Sequence, residues 1–399
     1  MKRVVIVTTR FPYFYTEAFL EAEYPYLKET FDEVVFLPLL KGKVRESCMD
    51  SLVCDDYNKL YSCKWKKYFS VLSHQNFYLD LWHHKSKLLK KNRVVNTFKQ
   101  HVHLLILKDV VLNNKSLFDE NTIVYSYWFN APVFAFLKIR EKLKLNYKVV
   151  CRAHRFDVYD DDGEMPNRTY CLRNIDKVFP ISQDAINTLS KKYEFQDKFE
   201  LCRLGVEDYG KIAKSSRDKE FHVLSVSQVH PRKRIREIFE ALYTFAELHR
   251  EISIIWTHFG DGPQMKDFKN WVGQLHQGNF TVYIKGRVPN VDIMSFMGSD
   301  PVDVFVNLSS SEGVPVSVME AQSFGVPVIA TDVGGTSEVM KQENGILLAA
   351  KPSRADVVSA FETILNRNFD RKVIKDIWNQ ISNAQVNFRS FVEKIQAVL

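Results

Sequence analysis

The stretch "SSSEGVPVSVMEAQSFGVPVIATDVGGTSEV", residues 309–339, predicts the local fold of the C-terminal third of this chain. The apolar run "VDVFVNLS" (302–309) leads into it, and a second run, "VPVIATD" (326–332), lies inside it. Short continuous runs of branched apolar residues are typical of buried parallel strands. A helix should begin near Pro315–Val316, because proline suits a first helical turn, and Gly325 should end it. The stretch therefore predicts a strand, a loop, a helix and a second strand.

Runs of the same kind recur along the chain, and helical patterns such as 16–29 and 235–250 separate many of them. Alternating strand and helix signals predict an α/β protein with parallel sheets. The strand candidates form two series of five, which predicts two Rossmann-like, doubly wound domains. The predicted strands are 3–9, 33–39, 121–128, 147–154 and 176–182, then 221–227, 252–260, 281–286, 302–309 and 326–332.

The length of 399 residues also favours two domains, because a single hydrophobic core rarely grows so large. The polar stretch 204–220 contains Gly and Ser and is typical of a linker. We therefore predict one domain over 1–205 and a second over 206–384. Two such domains facing a central cleft would present to it the carboxyl ends of both sheets, where open α/β sheets bind their ligands.

The composition is that of a folded protein, with 45% hydrophobic and 26% charged residues, which argues against disorder. The net charge is +7, and between Lys59 and Lys115 twelve Lys or Arg stand against two acids. Such a stretch is either a solvated basic face or a contact for an anionic membrane surface, nucleic acid or an acidic substrate. No nucleic-acid partner is expected, because the basic stretch contains no recognised nucleic-acid motif.

Cysteine usage and the N-terminus bear on location. The six cysteines include no pair with the two-residue gap of a metal or redox motif, and reduced thiols suit a cytoplasmic protein. The apolar run near the N-terminus is too short for a signal peptide, and no segment reaches the roughly 20 apolar residues of a membrane span. We expect a cytoplasmic protein that can touch the inner face of a membrane without crossing it.

Two glutamates frame the predicted helix: Glu312 precedes it, and Glu320 lies about one turn inside it. The free amides and the positive dipole end of such a helix favour phosphate oxygens. A carboxylate on either side of a bound diphosphate can accept hydrogen bonds from sugar and ribose hydroxyls. The alternative is an ordinary helix with an acidic residue near its N-terminus, which the dipole also favours.

The segment 311–339 closely resembles the signature of the family 4 retaining glycosyltransferases: a Glu, seven residues, a second Glu, then Ala and a Gly-x-Pro-Val turn. The resemblance implies a GT-B fold and transfer of a sugar, with retention, from a nucleoside-diphosphate donor to a glycan or lipid-linked acceptor in surface polysaccharide biosynthesis. A UDP-sugar is the usual donor. The first domain would then be the acceptor side, with a last helix at about 385–399 packed on it, and the second would bind the nucleotide-sugar. Glu312 would hold donor-sugar hydroxyls and Glu320 the ribose, with backbone contacts from Gly313, Val314, Pro315, Val316 and Ser317.

The loop "SQVHPRKR" (227–234) takes further roles from the same resemblance. Lys233 stands where the family places a lysine on the diphosphate, but Gln228 stands where the family has an arginine. Arg232 or Arg234 can compensate for that lost charge, because a guanidinium group binds phosphate bidentately. A basic cluster before a helix is otherwise usually solvated surface.

Four more positions follow from the resemblance. Arg287 and Val288 are expected beside the nucleotide base. His154, at the end of a predicted strand, would contact the donor sugar, and Glu17, near the start of the first helix, would touch the acceptor or donor. The aromatic residues of "YSYWFNAP" (125–132) provide either a stacking wall for sugar or part of the core.

No protein nucleophile stands out, so catalysis is expected to come from Lys233 and the helix N-terminus stabilising the leaving diphosphate, and from positioning of the acceptor. No Asp-x-Asp or other metal-ligand cluster stands out in the predicted cleft, and no Gly-x-Gly-x-x-Gly follows a strand. We therefore expect neither a metal ion nor a dinucleotide cofactor. Two alternatives stay open: a nucleotide-sugar epimerase of similar fold, and a catalytically silent partner subunit of another transferase, which the departure at Gln228 favours.

Overall fold

The computed structural model describes residues 1–13, 17–45, 48, 51–62, 64–73, 75–83, 92–159, 165–276 and 278–399. The chain divides into two compact units, the first formed by Met1–Leu204 with Val386–Leu399 and the second by Gly205–Gln385. Each unit contains one six-stranded sheet, and every strand pair within the two sheets is parallel. The predicted α/β class with two parallel sheets is therefore confirmed.

The sheet of the first unit has the strand order β3-β2-β1-β4-β5-β6. Its strands are β1 (Arg3–Thr8), β2 (Glu33–Pro38), β3 (Leu52–Val53), β4 (Thr122–Ser126), β5 (Lys148–Ala153) and β6 (Lys177–Pro180). Its helices are α1 (Ala18–Thr30), α2 (Asp56–Ser62), α3 (Lys64–Leu72), α4 (Gln75–His83), α5 (Arg93–Asn113), α6 (Ala131–Leu143), α7 (Arg155–Val158), α8 (Arg168–Asn174) and α9 (Gln183–Lys192).

The sheet of the second unit has the order β12-β11-β10-β7-β8-β9. Its strands are β7 (Glu220–Val226), β8 (Ser253–Phe259), β9 (Phe280–Gly286), β10 (Val304–Asn307), β11 (Val328–Thr331) and β12 (Gly345–Leu348). Its helices are α10 (Ile235–Leu248), α11 (Met265–Gly273), α12 (Asn290–Ser299), α13 (Val316–Ser323), α14 (Arg354–Asn366) and α15 (Arg371–Ser382), and α16 (Ala384–Gln396) then returns the chain to the first unit.

All ten predicted strands are present. Each is buried on at least one face, and its sequence is therefore rich in apolar residues. The central strands β1 and β4 are buried along their whole length. The edge strand β9 instead alternates between more and less buried residues, as expected for a strand with one solvated face. The strands β3 and β12 were not predicted, since edge strands of two and four residues leave little apolar pattern.

The polar stretch predicted as a linker is hydrogen-bonded to the second unit from its start. Val206 forms an isolated parallel bridge with Asn383, and the Ala213 amide donates to the Phe324 carbonyl at 2.9 Å. The stretch predicted as a linker therefore lies in the second unit from Gly205 onward, where backbone hydrogen bonds fix it.

The last helix, α16, packs against a buried ion pair of the first unit through the Phe391 ring. Arg152 and Glu23 are both fully buried, and their Nη2 and Oε2 atoms lie 2.8 Å apart. The same guanidinium group lies 3.7 Å from the centre of the Phe391 ring of α16 and donates to the Cys202 carbonyl at 3.0 Å. A buried charge needs such partners to offset its desolvation.

Two further features bear on location. Within the described residues, no helix combines the length and the apolar character that crossing a membrane requires. None of the five described cysteines forms a disulfide bond; they are Cys48, Cys54, Cys151, Cys171 and Cys202. Cys63 lies outside the described residues.

Candidate functional site

The loop after β10 leads into α13 at the predicted position. The helix begins at Val316, with Pro315 in the capping position. Hydrogen bonds fix the start of this loop on β10 and β11. The Thr331 hydroxyl donates to the Ser309 carbonyl at 2.5 Å, and the Ser309 amide donates to Asn307 Oδ1 at 3.0 Å. The first amides of an α-helix have no intrahelical acceptor, so the start of α13 suits an anionic ligand.

The structure brings Glu312 and Lys233 into contact. Glu312 Oε1 accepts from Lys233 Nζ at 2.5 Å, and both side chains are largely buried, with 12% and 27% of their surface exposed. The contact follows from the topology, because β7 and β10 are neighbours in the sheet and the loops after them meet. The Ser310 amide also donates to the Arg232 carbonyl at 2.7 Å, which joins the two loops through the backbone.

Two glycines behind Glu312 hold its loop in place, and sequence reasoning gave them no role. The Gly335 amide donates to the Gly313 carbonyl at 2.7 Å. Gly334 has φ +56°, and a Cβ atom there would lie 2.0 Å from the Glu312 carbonyl oxygen. Only glycine allows this approach. In the sequence, the Gly-Gly pair after the apolar run 326–332 was the signal that could have indicated this close backbone contact.

Glu320 has two neighbours that were not predicted, Asn290 and Tyr209. Asn290, the first residue of α12, donates through Nδ2 to Glu320 Oε1 at 2.8 Å. Burial raises the pKa of the Glu320 carboxyl to about 7, and the hydrogen bond from Asn290 opposes that rise. Tyr209 stacks on Phe324 with ring centres 5.7 Å apart. Its pKa is raised, mainly by burial and then by the nearby Glu320 carboxylate.

Three other polar residues of the β7–α10 loop, Gln228, Arg232 and Arg234, differ in environment. Gln228 is exposed and Arg232 is partly exposed. The Arg234 side chain donates to the Ala350 carbonyl at 2.8 Å and lies 3.4 Å from the Leu308 carbonyl. The Nη1 atom of Arg234 is therefore engaged with backbone carbonyls, and compensation by Arg232 or Arg234 for the charge missing at Gln228 stays a prediction.

The segment after β9 carries the two residues predicted to lie beside the base. Arg287 is exposed and Val288 is partly buried. The Gly260 amide donates to the Gly286 carbonyl at 2.8 Å and so joins this segment to the loop after β8. Because Asn290 follows closely and contacts Glu320, the segment is continuous with the α13 site.

In the first unit, His154 lies at the end of β5 between two aromatic rings. Its ring centre is 4.8 Å from those of Tyr127 and Trp128, and its backbone amide donates to Asp157 Oδ2 at 2.9 Å. Burial, followed by the charge of Arg152, lowers the pKa of His154 to about 3. The imidazole is therefore neutral at physiological pH and can exchange hydrogen bonds without carrying charge.

Glu17 is occupied by internal hydrogen bonds. Its Oε1 atom accepts from the Thr9 amide at 2.9 Å and from Trp128 Nε1 at 2.6 Å. Its Oε2 atom accepts from the amides of Arg10 and Phe11, both at 2.8 Å. Four donors fill the acceptor sites of a carboxylate. Glu17 therefore fixes residues 9–11 and Trp128, a role that the sequence pattern did not indicate.

The described residues include no group of three or more His, Cys, Asp and Glu side chains arranged to hold a metal ion. The acidic run at 160–162 of the sequence lies outside the described residues. Independence from a metal ion therefore stays a prediction.

Residues 211–378 match the family model described as "Glycosyl transferases group 1". This range covers most of the second unit and includes Lys233, Glu312 and Glu320. The match lies within the second unit and covers less than half of the chain, so this unit is similar to the group 1 glycosyltransferases. The chain as a whole has the GT-B fold.

Among curated proteins, the chain is 25% identical over 208 residues to the phosphatidylinositol N-acetylglucosaminyltransferase GPI3 subunit of Saccharomyces cerevisiae. That match covers 50% of this chain and 44% of the yeast protein. A UDP-Gal:alpha-D-GlcNAc-diphosphoundecaprenol alpha-1,3-galactosyltransferase of Escherichia coli is 27% identical over 177 residues, 43% of each chain. In both cases the match spans less than half of the relative.

Among solved structures, the apo form of the lipopolysaccharide outer core galactosyltransferase WaaB superposes over 100% of both chains, with a TM-score of 0.73 at 14% identity. Anabaena HepE in complex with UDP-glucose gives a TM-score of 0.66 at 14% identity, over 99% of this chain and 100% of HepE. At such low identity these likenesses establish the fold.

Proposed function

We propose that this protein is a glycosyltransferase that moves a sugar from a nucleoside-diphosphate sugar to a glycan or lipid-linked acceptor in polysaccharide or glycoconjugate biosynthesis. The observation that carries the proposal is the Glu312–Lys233 contact beside the start of α13, within a unit that matches the group 1 family. An ammonium group, a carboxylate and helix amides together fit a sugar joined to a diphosphate.

In this proposal the diphosphate binds Lys233 and the backbone at Gly313–Ser317, and Glu312 accepts hydrogen bonds from the donor sugar. Charge develops on the diphosphate as the glycosidic bond breaks, so a fixed cation and helix amides lower the barrier. We further propose that the anomeric configuration is retained. NMR of the first-formed product tests this, since a product of inverted configuration would contradict it.

The proposed donor is a UDP-sugar, with Glu320 holding the ribose and Arg287 and Val288 beside the base. Support comes from the solved structure of HepE with UDP-glucose and from the UDP-Gal-dependent relative. Melting curves with UDP, GDP and ADP test the choice, because a ligand at about 100 times its Kd stabilises by about 2.7 kcal/mol. A melting shift with GDP or ADP but not with UDP would assign a different base to the donor and leave the transferase assignment standing.

The first unit is proposed to take the acceptor, with neutral His154 donating or accepting a hydrogen bond at the transferring sugar. The E. coli relative is named for a diphosphoundecaprenol acceptor, which supports a lipid-linked acceptor here. We propose a cytoplasmic location at the inner face of an anionic membrane. Radiolabel transfer from a UDP-sugar into an organic-solvent extract would detect a lipid-linked product.

Catalysis without a metal ion is also part of the proposal, because Lys233 and helix amides supply the positive charge at the diphosphate. Titration with a chelator tests it. Full loss of transfer that magnesium or manganese restores would overturn this part and leave the transferase assignment standing.

A second candidate function is that of a nucleotide-sugar-binding partner subunit without activity of its own. The exposed Gln228, where the family has an arginine, favours it, because it removes one positive charge from the proposed diphosphate site. The two candidates differ in one measurement: the silent partner would bind a nucleoside diphosphate and transfer no sugar. Gln228→Arg would then be expected to raise activity from background.

A further inference from the structure

Two short helices of the first unit expose an unusual amount of apolar surface. On α3, Trp65, Phe69 and Leu72 have 67%, 73% and 50% of their surface exposed, and on α4 Tyr78, Leu79 and Trp82 have 52%, 44% and 67%. Such exposed patches mark a contact with a partner or a membrane. We call these six residues the α3–α4 apolar face.

The apolar face of α3 is outward because the opposite side of the helix is already used. Trp65, Phe69 and Leu72 recur at the spacing of one helix face. On the opposite side Lys67 forms an ion pair with Asp109 of α5. Tyr68 lies beside Trp65, with ring centres 5.5 Å apart, and its ring also lies 5.4 Å from that of Phe98 on α5. The helix is therefore fixed by its inner side, and its outer side is left to the solvent.

On α4, Phe77 and Asp80 likewise face α5. The ring of Phe77 lies 5.9 Å from that of Phe98, and Asp80 Oδ2 lies 2.8 Å from His101 Nε2. The Tyr78 hydroxyl donates to the Leu72 carbonyl at 2.6 Å, so the start of α4 is joined to the end of α3. The two outer faces therefore form one continuous surface on two anchored helices.

Charge decides which partner fits this surface. Asp80 lies against His101, and Lys67 is paired with Asp109. On α3, Lys66 is exposed and Lys64 is partly exposed, with its Nζ atom 4.7 Å from the centre of the Tyr61 ring. The surrounding sequence, Lys59 to Lys115, is strongly basic, with twelve Lys or Arg against two acids. Tryptophan and lysine together suit the boundary between water and an anionic bilayer.

We infer that the α3–α4 apolar face lies on the surface of an anionic membrane, with Trp65, Phe69 and Trp82 entering the headgroup boundary and the neighbouring lysines binding lipid charge. The inference rests on the proposed function in that it names the surface from which a lipid-linked acceptor would be taken. The membrane contact depends on the six residues of the α3–α4 apolar face and on the lysines beside them, and it does not depend on the donor site of the second unit.

Vesicle flotation of the full chain tests the inference, with vesicles of phosphatidylcholine containing about 30% phosphatidylglycerol and vesicles of phosphatidylcholine alone. The variant Trp65→Ser/Phe69→Ser/Trp82→Ser should lose about tenfold or more of its partitioning. Lys64→Gln/Lys66→Gln should lose most of the preference for anionic vesicles. Matched controls are Leu248→Ser/Val373→Ser, two exposed apolar residues of the second unit, and Lys266→Gln/Lys269→Gln, two exposed lysines of α11.

Each outcome has a meaning that is separate from the transferase proposal. Wild-type protein that stays unbound, or an apolar-face variant that floats like wild type, overturns the inference. A wild-type dimer that the triple variant converts to monomer, without vesicle binding, would assign the face to a second copy instead. The UDP-induced melting shift should be the same in all variants, which checks folding and tests the donor site separately.

Discussion

Lys233 and Glu312 are 79 positions apart in the sequence, yet their ammonium and carboxylate groups are 2.5 Å apart in the second unit. Each group holds the other in place. A donor that enters must exchange this contact for its own, with phosphate replacing the carboxylate on Lys233 and sugar hydroxyls replacing the ammonium group on Glu312. The pair is therefore pre-positioned at the bond that the proposed reaction breaks.

Lys233→Ala should lower kcat/KM for sugar transfer by about 10²–10³-fold, because it removes a fixed positive charge from the leaving diphosphate. Glu312→Gln should lower it to a similar degree. Since the two groups act together, the double variant should lose little more than either single one. Steady-state kinetics measure all three, with Lys269→Ala on the exposed face of α11 as the control. Strictly additive losses would mean that the two residues act independently.

UDP affinity should depend on pH through Glu320. Its pKa is about 7 in the free protein, and ribose hydroxyls bind best to the charged carboxylate, so affinity should fall as the pH drops through 7. Binding should also release protons near pH 7. Calorimetry in buffers of different ionisation enthalpy measures this, and Glu320→Gln should remove the pH dependence. An unchanged Kd between pH 6 and pH 8 would place the ribose elsewhere.

The same carboxyl should weaken the free second unit at high pH. Its folded pKa is raised above that of the unfolded chain, so its contribution is favourable when protonated and is lost as the pH rises through about 7. Glu320→Gln should therefore melt higher than wild type at pH 8 without ligand, and about equally at pH 5. Its UDP-induced shift should nevertheless be smaller. A Glu320→Gln protein that melts lower at pH 8 contradicts the expectation.

Gly334→Ala should disturb the Glu312 loop without touching any ligand. The new Cβ would lie 2.0 Å from the Glu312 carbonyl oxygen in a backbone with φ +56°, so the loop must move. Sugar transfer should fall about tenfold or more, since small displacements of positioning groups are costly. Gly273→Ala on α11 is the matched control, because a Cβ there meets nothing within 4 Å. Kinetics and melting curves of both variants give the comparison.

Glu17→Ala should destabilise the first unit by about 2 kcal/mol or more, since four donors lose their acceptor. Trp128→Phe should lower the free energy of unfolding by less, because it removes only one of the four donors to Glu17, the indole N–H. Denaturant unfolding measures both against Glu29→Ala, an exposed residue of the same helix. UDP affinity should not change in any of the three. A stable Glu17→Ala protein with a raised KM for acceptor would instead make Glu17 a direct contact.

Local sequence pattern predicted most of the fold, and it did so for a physical reason. Central parallel strands are buried on both faces, so each appears as an uninterrupted apolar run, and α13 begins and ends at the proline and glycine that favour those positions. The strands that were not predicted lie at sheet edges: Leu52–Val53 has only two residues, and only the first residue of Gly345–Leu348 is fully buried.

The candidate site was predictable only in part, because its contacts join distant residues. Asn290 reaches Glu320 across 30 positions, and Trp128 reaches Glu17 across 111. Neither residue has a local signal of function. The orientation of Arg234 was equally hidden: its charge suggested phosphate binding, but its guanidinium group is turned to the Ala350 carbonyl.

The return of α16 to the first unit constrains how such chains can recombine. The chain enters and leaves the second unit at one place, where Val206 is paired with Asn383 and a Cβ on Gly205 would lie 2.3 Å from the Ala384 Cα. Exchange of residues 205–385 between related genes thus needs two crossovers, at codons whose residues lie side by side in the folded chain. A single crossover would give the first unit a foreign last helix. Arg152 and Phe391, which share one buried contact, must therefore be inherited from the same parent.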